Sequence, residues 1–138
     1  MIGGRAHAVV LGSRFEELVR EWALRFAAPE TLGGPVAEVN SAVLGDPATR
    51  TSHEPDLVAL GAPPLGDGSR PLLAVGEVKW GRRVGESDLD RLHRIREVVR
   101  GRSGYDTGDV RLLLASAEDS PTGWRRRRPG GRTSYWSI

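Results

Sequence analysis

The centre of this chain contains two short apolar runs, Pro55-Asp56-Leu57-Val58-Ala59-Leu60 and Leu72-Leu73-Ala74-Val75-Gly76-Glu77-Val78-Lys79-Trp80. Both runs are partly β-branched and are bounded by Gly and Pro, which is typical of β-strands. The connection between them carries the turn-forming pair Asp67-Gly68. The sequence therefore predicts two strands joined as a β-hairpin.

Charged residues interrupt the apolar pattern of these strands. Side chains alternate along a strand, so Glu77 and Lys79 share one face, roughly 7 Å apart. If the strands pair antiparallel, Asp56 lies beside Glu77, because neighbouring strands are about 4.8 Å apart. Buried charges need a partner or a metal, and a hard divalent cation with oxygen ligands relieves the repulsion of two carboxylates. The ammonium of Lys79 favours an adjacent anion, so the pattern indicates cleavage of phosphodiesters.

The positive charges of the sequence are distributed unevenly. Of the 20 basic residues, Lys79 is the only lysine and the others are arginines. Lysine offers a compact point charge with a tunable pKa, whereas the guanidinium is planar and always charged. The solitary lysine therefore suggests a specific chemical role for Lys79, although a chance position is the alternative.

These residues carry a resemblance to a known family. Pro55-Asp56 followed by Glu77-Val78-Lys79 resembles the signature of the PD-(D/E)XK nuclease superfamily, which has the restriction-endonuclease-like fold. More narrowly, Gly12-Ser13-Arg14-Phe15-Glu16 opening a helix and Glu77-Val78-Lys79-Trp80 ending a strand are similar to the nuclease-like C-terminal domain of archaeal-type AAA ATPases. The similarity spans roughly residues 11–115.

The resemblance implies a metal-dependent DNA endonuclease. Asp56, Glu77 and the Val78 carbonyl would hold Mg²⁺ or Mn²⁺, which activates a bound water and offsets charge on the phosphate. Lys79 would orient or deprotonate that water. Glu16 would assist metal binding from the outer shell. The alternative function is a non-catalytic nucleic-acid-binding or regulatory module on the same fold.

Glu16 has a second interpretation. Apolar residues recur at helical spacing over residues 14–27 and predict an amphipathic helix. Glu16 lies on the flank of the apolar stripe, where it could face a sheet. However, Ser13-x-x-Glu16 is also a capping box, in which the glutamate bonds back to the N-cap amide. Both roles remain open at this point.

The remaining elements predict an α/β fold. Residues 36–44 are expected to form a first strand, and 45–54 a loop whose His53 and Glu54 lie outside the site. Ser87 is expected to cap a second helix, with Arg91, Arg94 and Arg96 on its basic side, and residues 110–115 predict a buried strand. The order α-β-β-β-α-β matches a restriction-endonuclease-like core, a mixed central β-sheet flanked by two helices.

We expect residues 1–115 to form the nuclease-like domain and residues 116–138 an Arg/Gly-rich tail, either partly disordered or forming an edge strand at 133–136. Basic residues outside the motif could contact a nucleic-acid backbone or remain solvated. They lie in the loop after the motif and in the tail: Arg82, Arg83, Arg125, Arg126, Arg127 and Arg128.

Composition limits the class of protein. The 138 residues suit one domain, the net charge is only +2, and the absence of cysteine excludes disulfides and thiolate metal sites. No apolar run approaches the roughly 20 residues that span a bilayer, and no signal peptide is recognisable, so we expect a cytoplasmic protein with no membrane contact. The sequence lacks a Gly-x-x-x-x-Gly-Lys phosphate loop, so an AAA-type ATPase would be a separate partner. A homodimer is left open.

Overall fold

The structure is a computed structural model that describes residues 4–81, 85–117, 125–130 and 133–137, with side chains described over 14–81 and 85–116. It is a mixed α/β fold, which confirms the predicted class. The elements in chain order are α1 Gly4–Arg25, α2 Pro29–Leu32, β1 Glu38–Asn40, β2 Leu44–Asp46, β3 Thr51–His53, β4 Leu57–Leu60, β5 Arg70–Trp80, α3 Glu86–Val99, β6 Tyr105–Asp106, β7 Arg111–Ala117, β8 Arg125–Gly130 and β9 Thr133–Ser137.

The main sheet is mixed and has the strand order β1-β4-β5-β7-β9-β8, with β6 pairing at the start of β5. Strands β1, β4 and β5 pair antiparallel, whereas β7 runs parallel to both β5 and β9. The predicted hairpin of β4 and β5 is confirmed. Helix α1, strands β1, β4 and β5, helix α3 and strand β7 occur in the predicted helix-strand-strand-strand-helix-strand order. The elements α2, β2, β3 and β6, which were not predicted, lie between them.

The two long helices cover opposite faces of the sheet. Phe15, Val19 and Ala23 of α1 pack on one face, together with Val78 of β5. On the other face, three residues of α3 pack with Val75 of β5: Leu92, Ile95 and Val99. Because side chains alternate along β5, Glu77 and Lys79 project to the same side as Val75, toward α3.

Gly76 brings β5 and β7 close together next to Glu77. A Cβ atom at this position would lie 3.0 Å from the Leu113 carbonyl oxygen, which is backbone and cannot yield easily. None of the helices in the described part of the chain is long and apolar enough to cross a membrane.

The predicted helix starts are wrong in both cases. Helix α1 begins at Gly4, so Ser13 lies inside the helix and cannot be its N-cap. The capping-box interpretation of Glu16 is therefore wrong, and residues 12–16 do not open the helix. The residues before Ser13 are mostly small or aliphatic and contain no proline, so nothing in them stops the helix. Helix α3 is capped through Asp88, whose Oδ2 accepts a 3.0 Å hydrogen bond from the Gly85 amide, rather than by Ser87.

The segment before β4 also differs from the prediction. Residues 36–44 contain two short strands, β1 and the start of β2, instead of one, and the expected loop at 45–54 contains the β2–β3 hairpin. This hairpin is fixed by Asp46, a buried side chain that accepts a 2.8 Å hydrogen bond from Arg94 Nε of α3. Asp46 and Arg94 are 48 residues apart in the sequence, so no local sequence pattern predicts their contact.

The tail continues the sheet in the structure. Strand β9, at the position expected for an edge strand, pairs with β7 on one side and β8 on the other. The edge position belongs to β8, which contains the arginine run.

Candidate active site

The register of the β4–β5 hairpin sets the positions of the two acidic residues. Leu57 pairs with Gly76, so the next positions, Asp56 and Glu77, lie opposite one another where β4 begins. Asp56 Oδ2 accepts a 2.8 Å hydrogen bond from the Val78 amide. This bond fixes the Asp56 carboxylate against β5, and the expected proximity of the two acids is observed.

Glu77 is a buried acid, with a side chain that is 1% exposed. Its Oε2 lies 3.6 Å from Lys79 Nζ, and its Oε1 lies 3.4 Å from Arg91 Nη2. Oε1 nevertheless accepts no hydrogen bond from any residue that the structure describes. Burial raises the pKa of Glu77 to about 7, and the nearby Asp56 charge adds to this rise against the opposing effect of Arg91 and Lys79. Glu77 thus has two cations within 3.6 Å, but among the described residues its Oε1 has no hydrogen-bond donor.

Lys79 lies on the same face of β5 as Glu77, and its side chain is 21% exposed. Its register partner on β7 is Ser116, a buried polar residue. The Lys79 ammonium therefore lies between the buried Glu77 carboxylate and the protein surface. It can interact with Glu77 and with an incoming anion at the same time.

Glu16 approaches the acids from α1. The ring of Trp80 lies 5.4 Å from that of Phe15, which ties this turn of α1 to the end of β5. Arg20 Nη1 donates a 3.0 Å hydrogen bond to the Asp56 carbonyl and lies 4.0 Å from Glu16 Oε2. Partial burial raises the pKa of Glu16, with the Asp56 charge as the second cause. Glu16 therefore lies at the rim of the group, within electrostatic reach of Asp56.

The structure thus brings together all four residues for which the sequence analysis predicted a catalytic role: Glu16, Asp56, Glu77 and Lys79. The positions of Asp56 and Glu77 follow from the pairing register of one hairpin, and that of Lys79 follows from strand alternation. Glu16 was predicted from the family resemblance, because its place on the flank of the helix left its role open.

The donor set for a metal ion is small. Among the described residues, no three His, Cys, Asp or Glu side chains are arranged as a complete metal-binding group. The oxygens available are those of Asp56 and Glu77, together with the Val78 carbonyl. In a β-strand the N–H and C=O of one residue point to the same neighbouring strand, so the Val78 carbonyl shares the side of Asp56. Glu77 Oε1, which accepts no hydrogen bond among the described residues, is a hard oxygen donor of the kind that a divalent cation takes.

Other predicted residues are not brought to this site by described contacts. Arg82 and Arg83 lie outside the described residues. Arg125 to Arg128 belong to β8, the edge strand that β7 and β9 separate from β5, and their side chains are not described. Their contact with a nucleic acid stays a prediction.

Arg91 is a site residue that the sequence analysis did not identify. It was recognised only as part of the basic side of α3, because nothing in the spacing relates a helix position to a strand position. In the structure Arg91 Nη2 contacts Glu77 Oε1 and donates a 3.4 Å hydrogen bond to the Glu54 carbonyl. Arg91 is thus the second cation of the buried acid.

The neighbouring cluster around Asp46 is structural. Burial alone would raise the pKa of Asp46, but hydrogen bonds from Arg94, Thr49, His53 and the Ala48 amide lower it to about 2. His53 Nε2 lies 3.4 Å from Asp46 Oδ2, away from the four acidic and basic residues of the hairpin end. The cluster fastens the β2–β3 hairpin to α3 one turn from Arg91.

No protein-family model matches the sequence, and no curated protein matches it.

The raised pKa of Glu77 predicts a pH dependence of stability. Between about pH 4.5 and 7 the folded protein keeps a proton on Glu77 that the unfolded chain has lost. The stabilisation of the folded state by this proton is therefore full below pH 4.5 and is lost as the pH rises through 7. In EDTA, wild type should lose about 1–3 kcal/mol of unfolding free energy relative to Glu77→Gln between pH 5 and 8.

Denaturant unfolding at both pH values measures this difference. Glu97→Gln, an exposed position on α3, is the matched control and should follow wild type. Parallel pH curves for wild type and Glu77→Gln would show that Glu77 ionises normally.

Proposed function

We propose that this protein is a metal-dependent endodeoxyribonuclease of the PD-(D/E)XK type. The observation that carries the proposal is the buried Glu77, which faces Asp56 across the hairpin and has one oxygen without a hydrogen bond. The helix and strand order supports a restriction-endonuclease-like core. Lys79 and Glu16 complete the set that the sequence resemblance implies.

Asp56, Glu77 and the Val78 carbonyl would hold Mg²⁺ or Mn²⁺. When bound, the ion would supply a water of lowered pKa and offset charge on the scissile phosphate. Asp56 is positioned for this by the Val78 amide, which donates a hydrogen bond to its Oδ2. Burial of Glu77 excludes bulk water from one side of the site and strengthens its electrostatic interactions.

Lys79 would act on the attacking water. Its side chain lies beside Glu77 and is partly exposed. As the ammonium it would orient a water and offset charge on the pentacovalent phosphorus, and only as the neutral amine would it take a proton from that water. Glu16, at the rim, would hold an outer water molecule. Arg20 ties α1 to the start of β4 through its hydrogen bond to the Asp56 carbonyl.

The narrower likeness to the nuclease-like domain of archaeal-type AAA ATPases extends the proposal to partners. DNA is the proposed substrate, and a separate AAA-type ATPase is the proposed protein partner. A cytoplasmic location and a homodimer are compatible with this function. The alternative is a non-catalytic module. It does not explain why the chain keeps a buried carboxylate at Glu77, whose charge destabilises the fold.

The direct test is cleavage of linear, branched and single-stranded DNA with Mn²⁺. Wild type should cut at least one of them, whereas Asp56→Asn and Glu77→Gln should lose cleavage and remain folded. Asn still offers an oxygen to the Val78 amide, so loss of activity would not reflect a broken hairpin. Activity of both variants equal to wild type, or no cleavage of any substrate by wild type, would contradict the proposal.

Lys79→Arg separates catalysis from a structural ion pair. Arg keeps the positive charge beside Glu77, so the buried acid is not left without this partner and the variant should fold and bind metal and DNA. It cannot accept a proton at neutral pH and its group is larger, so single-turnover cleavage should be at least about a hundredfold slower. Near-equal rates would remove Lys79 from the chemistry and favour the non-catalytic module.

The arginines of β8 predict a salt-dependent contribution to DNA binding. Each phosphate contact releases counterions, and log affinity falls with log salt concentration by about 0.9 per contact on duplex DNA. Replacing Arg125, Arg126, Arg127 and Arg128 by Ser should therefore flatten the slope measured by fluorescence anisotropy. Comparing the alternate pairs Arg125/Arg127 and Arg126/Arg128 tests the two faces of the strand separately. An unchanged slope would show that these four arginines do not contact DNA phosphates.

A further inference from the structure

Arg91 is a cation that contacts a buried acid without satisfying it. Its Nη2 is 3.4 Å from Glu77 Oε1, yet Oε1 accepts no hydrogen bond among the described residues. Its other described contact, with the Glu54 carbonyl, is also long at 3.4 Å. A guanidinium has five N–H donors, so two long contacts engage little of its capacity.

The two ends of this contact differ in exposure. The Arg91 side chain is 41% exposed, whereas that of Glu77 is 1% exposed. Arg91 therefore extends from solvent to the buried acid. Any polyanion that reaches the site would meet this guanidinium before the carboxylate.

Arg91 also contacts Glu77 Oε1, the oxygen that accepts no hydrogen bond among the described residues and so is open to a metal ion. An Mg²⁺–oxygen bond is about 2.1 Å long, and a guanidinium some 3.4 Å from the same oxygen repels a doubly charged ion. The contacts of Arg91 are long and its side chain is flexible and partly exposed, so it can move away from Glu77. The released guanidinium then lies beside the site, with its paired N–H groups free for a phosphate.

From this geometry we propose that Arg91 is an exchangeable cation. It partners Glu77 in the metal-free protein, is displaced by the divalent ion, and then binds a DNA phosphate next to the one that is cut. The inference rests on the proposed nuclease function. Arg91 would thus have two successive partners, Glu77 and a DNA phosphate. It would therefore weaken metal binding and strengthen DNA binding.

The test measures both effects in the full chain. Arg91→Gln should bind Mn²⁺ at least about threefold more tightly in calorimetry without DNA, because a competing charge has gone. It should bind a labelled DNA duplex at least about tenfold more weakly in Ca²⁺, which takes the same oxygen ligands. Arg100→Gln is the matched control: it removes the same charge at the C-cap of α3, about 13 Å further along the helix axis, and should leave both affinities within about twofold of wild type.

Each outcome decides a different point. If wild type binds no Mn²⁺, the proposed nuclease function fails. If wild type binds Mn²⁺ but Arg91→Gln binds it equally or more weakly, or binds DNA as wild type does, the exchange role of Arg91 is overturned alone. If Arg91→Gln does not fold, Arg91→Lys decides. It keeps the charge but loses the paired N–H groups, so its DNA affinity should fall at least about threefold, and an unchanged DNA affinity overturns the inference.

Discussion

The arrangement of this protein depends on one electrostatic constraint, the burial of Glu77 opposite Asp56. The acid sits on the longest strand of the sheet, between β4 and β7, and 1% of its side chain is exposed. Burial and the Asp56 charge both disfavour its ionised form. Its described cationic neighbours, Lys79 and Arg91, approach without completing its hydrogen bonds. Glu77 Oε1 can therefore still bind a donor or a cation.

The surrounding helices and strands fix the positions of Asp56 and Glu77. The Val78 amide fixes Asp56, and Arg20 of α1 holds the backbone of the same residue. Helix α3 has two roles, because Arg91 contacts Glu77 while Arg94 anchors the β2–β3 hairpin through Asp46. Helices on both faces of the sheet and a hairpin beside α3 thus converge on one end of β4 and β5. Such cross-connection is what a preorganised site requires, since its charges cannot relax independently.

The sequence allowed prediction of those parts that local pattern specifies. The β4–β5 hairpin, the apolar face of α3 and the buried strand β7 follow from periodicity and turn residues, and the position of Asp56 beside Glu77 follows from the hairpin register. The start of α1 was missed because Ser13 resembles a cap, whereas the helix already begins at Gly4 and no proline interrupts it before Ser13. The β2–β3 hairpin and the role of Arg91 were missed because both depend on contacts between distant segments, Asp46 with Arg94 and Glu77 with Arg91.

The central claim is that the Asp56–Glu77 pair takes a divalent cation in place of a proton. Calorimetric titration of wild type with Mn²⁺ at about pH 6, in buffers of different ionisation enthalpy, counts the protons released on binding. Because the pKa of Glu77 is raised to about 7, the metal-free site is mostly protonated at that pH and binding should release close to one proton. Glu77→Gln should release none. Mn²⁺ binding by wild type without proton release, or no binding at all, would contradict the account.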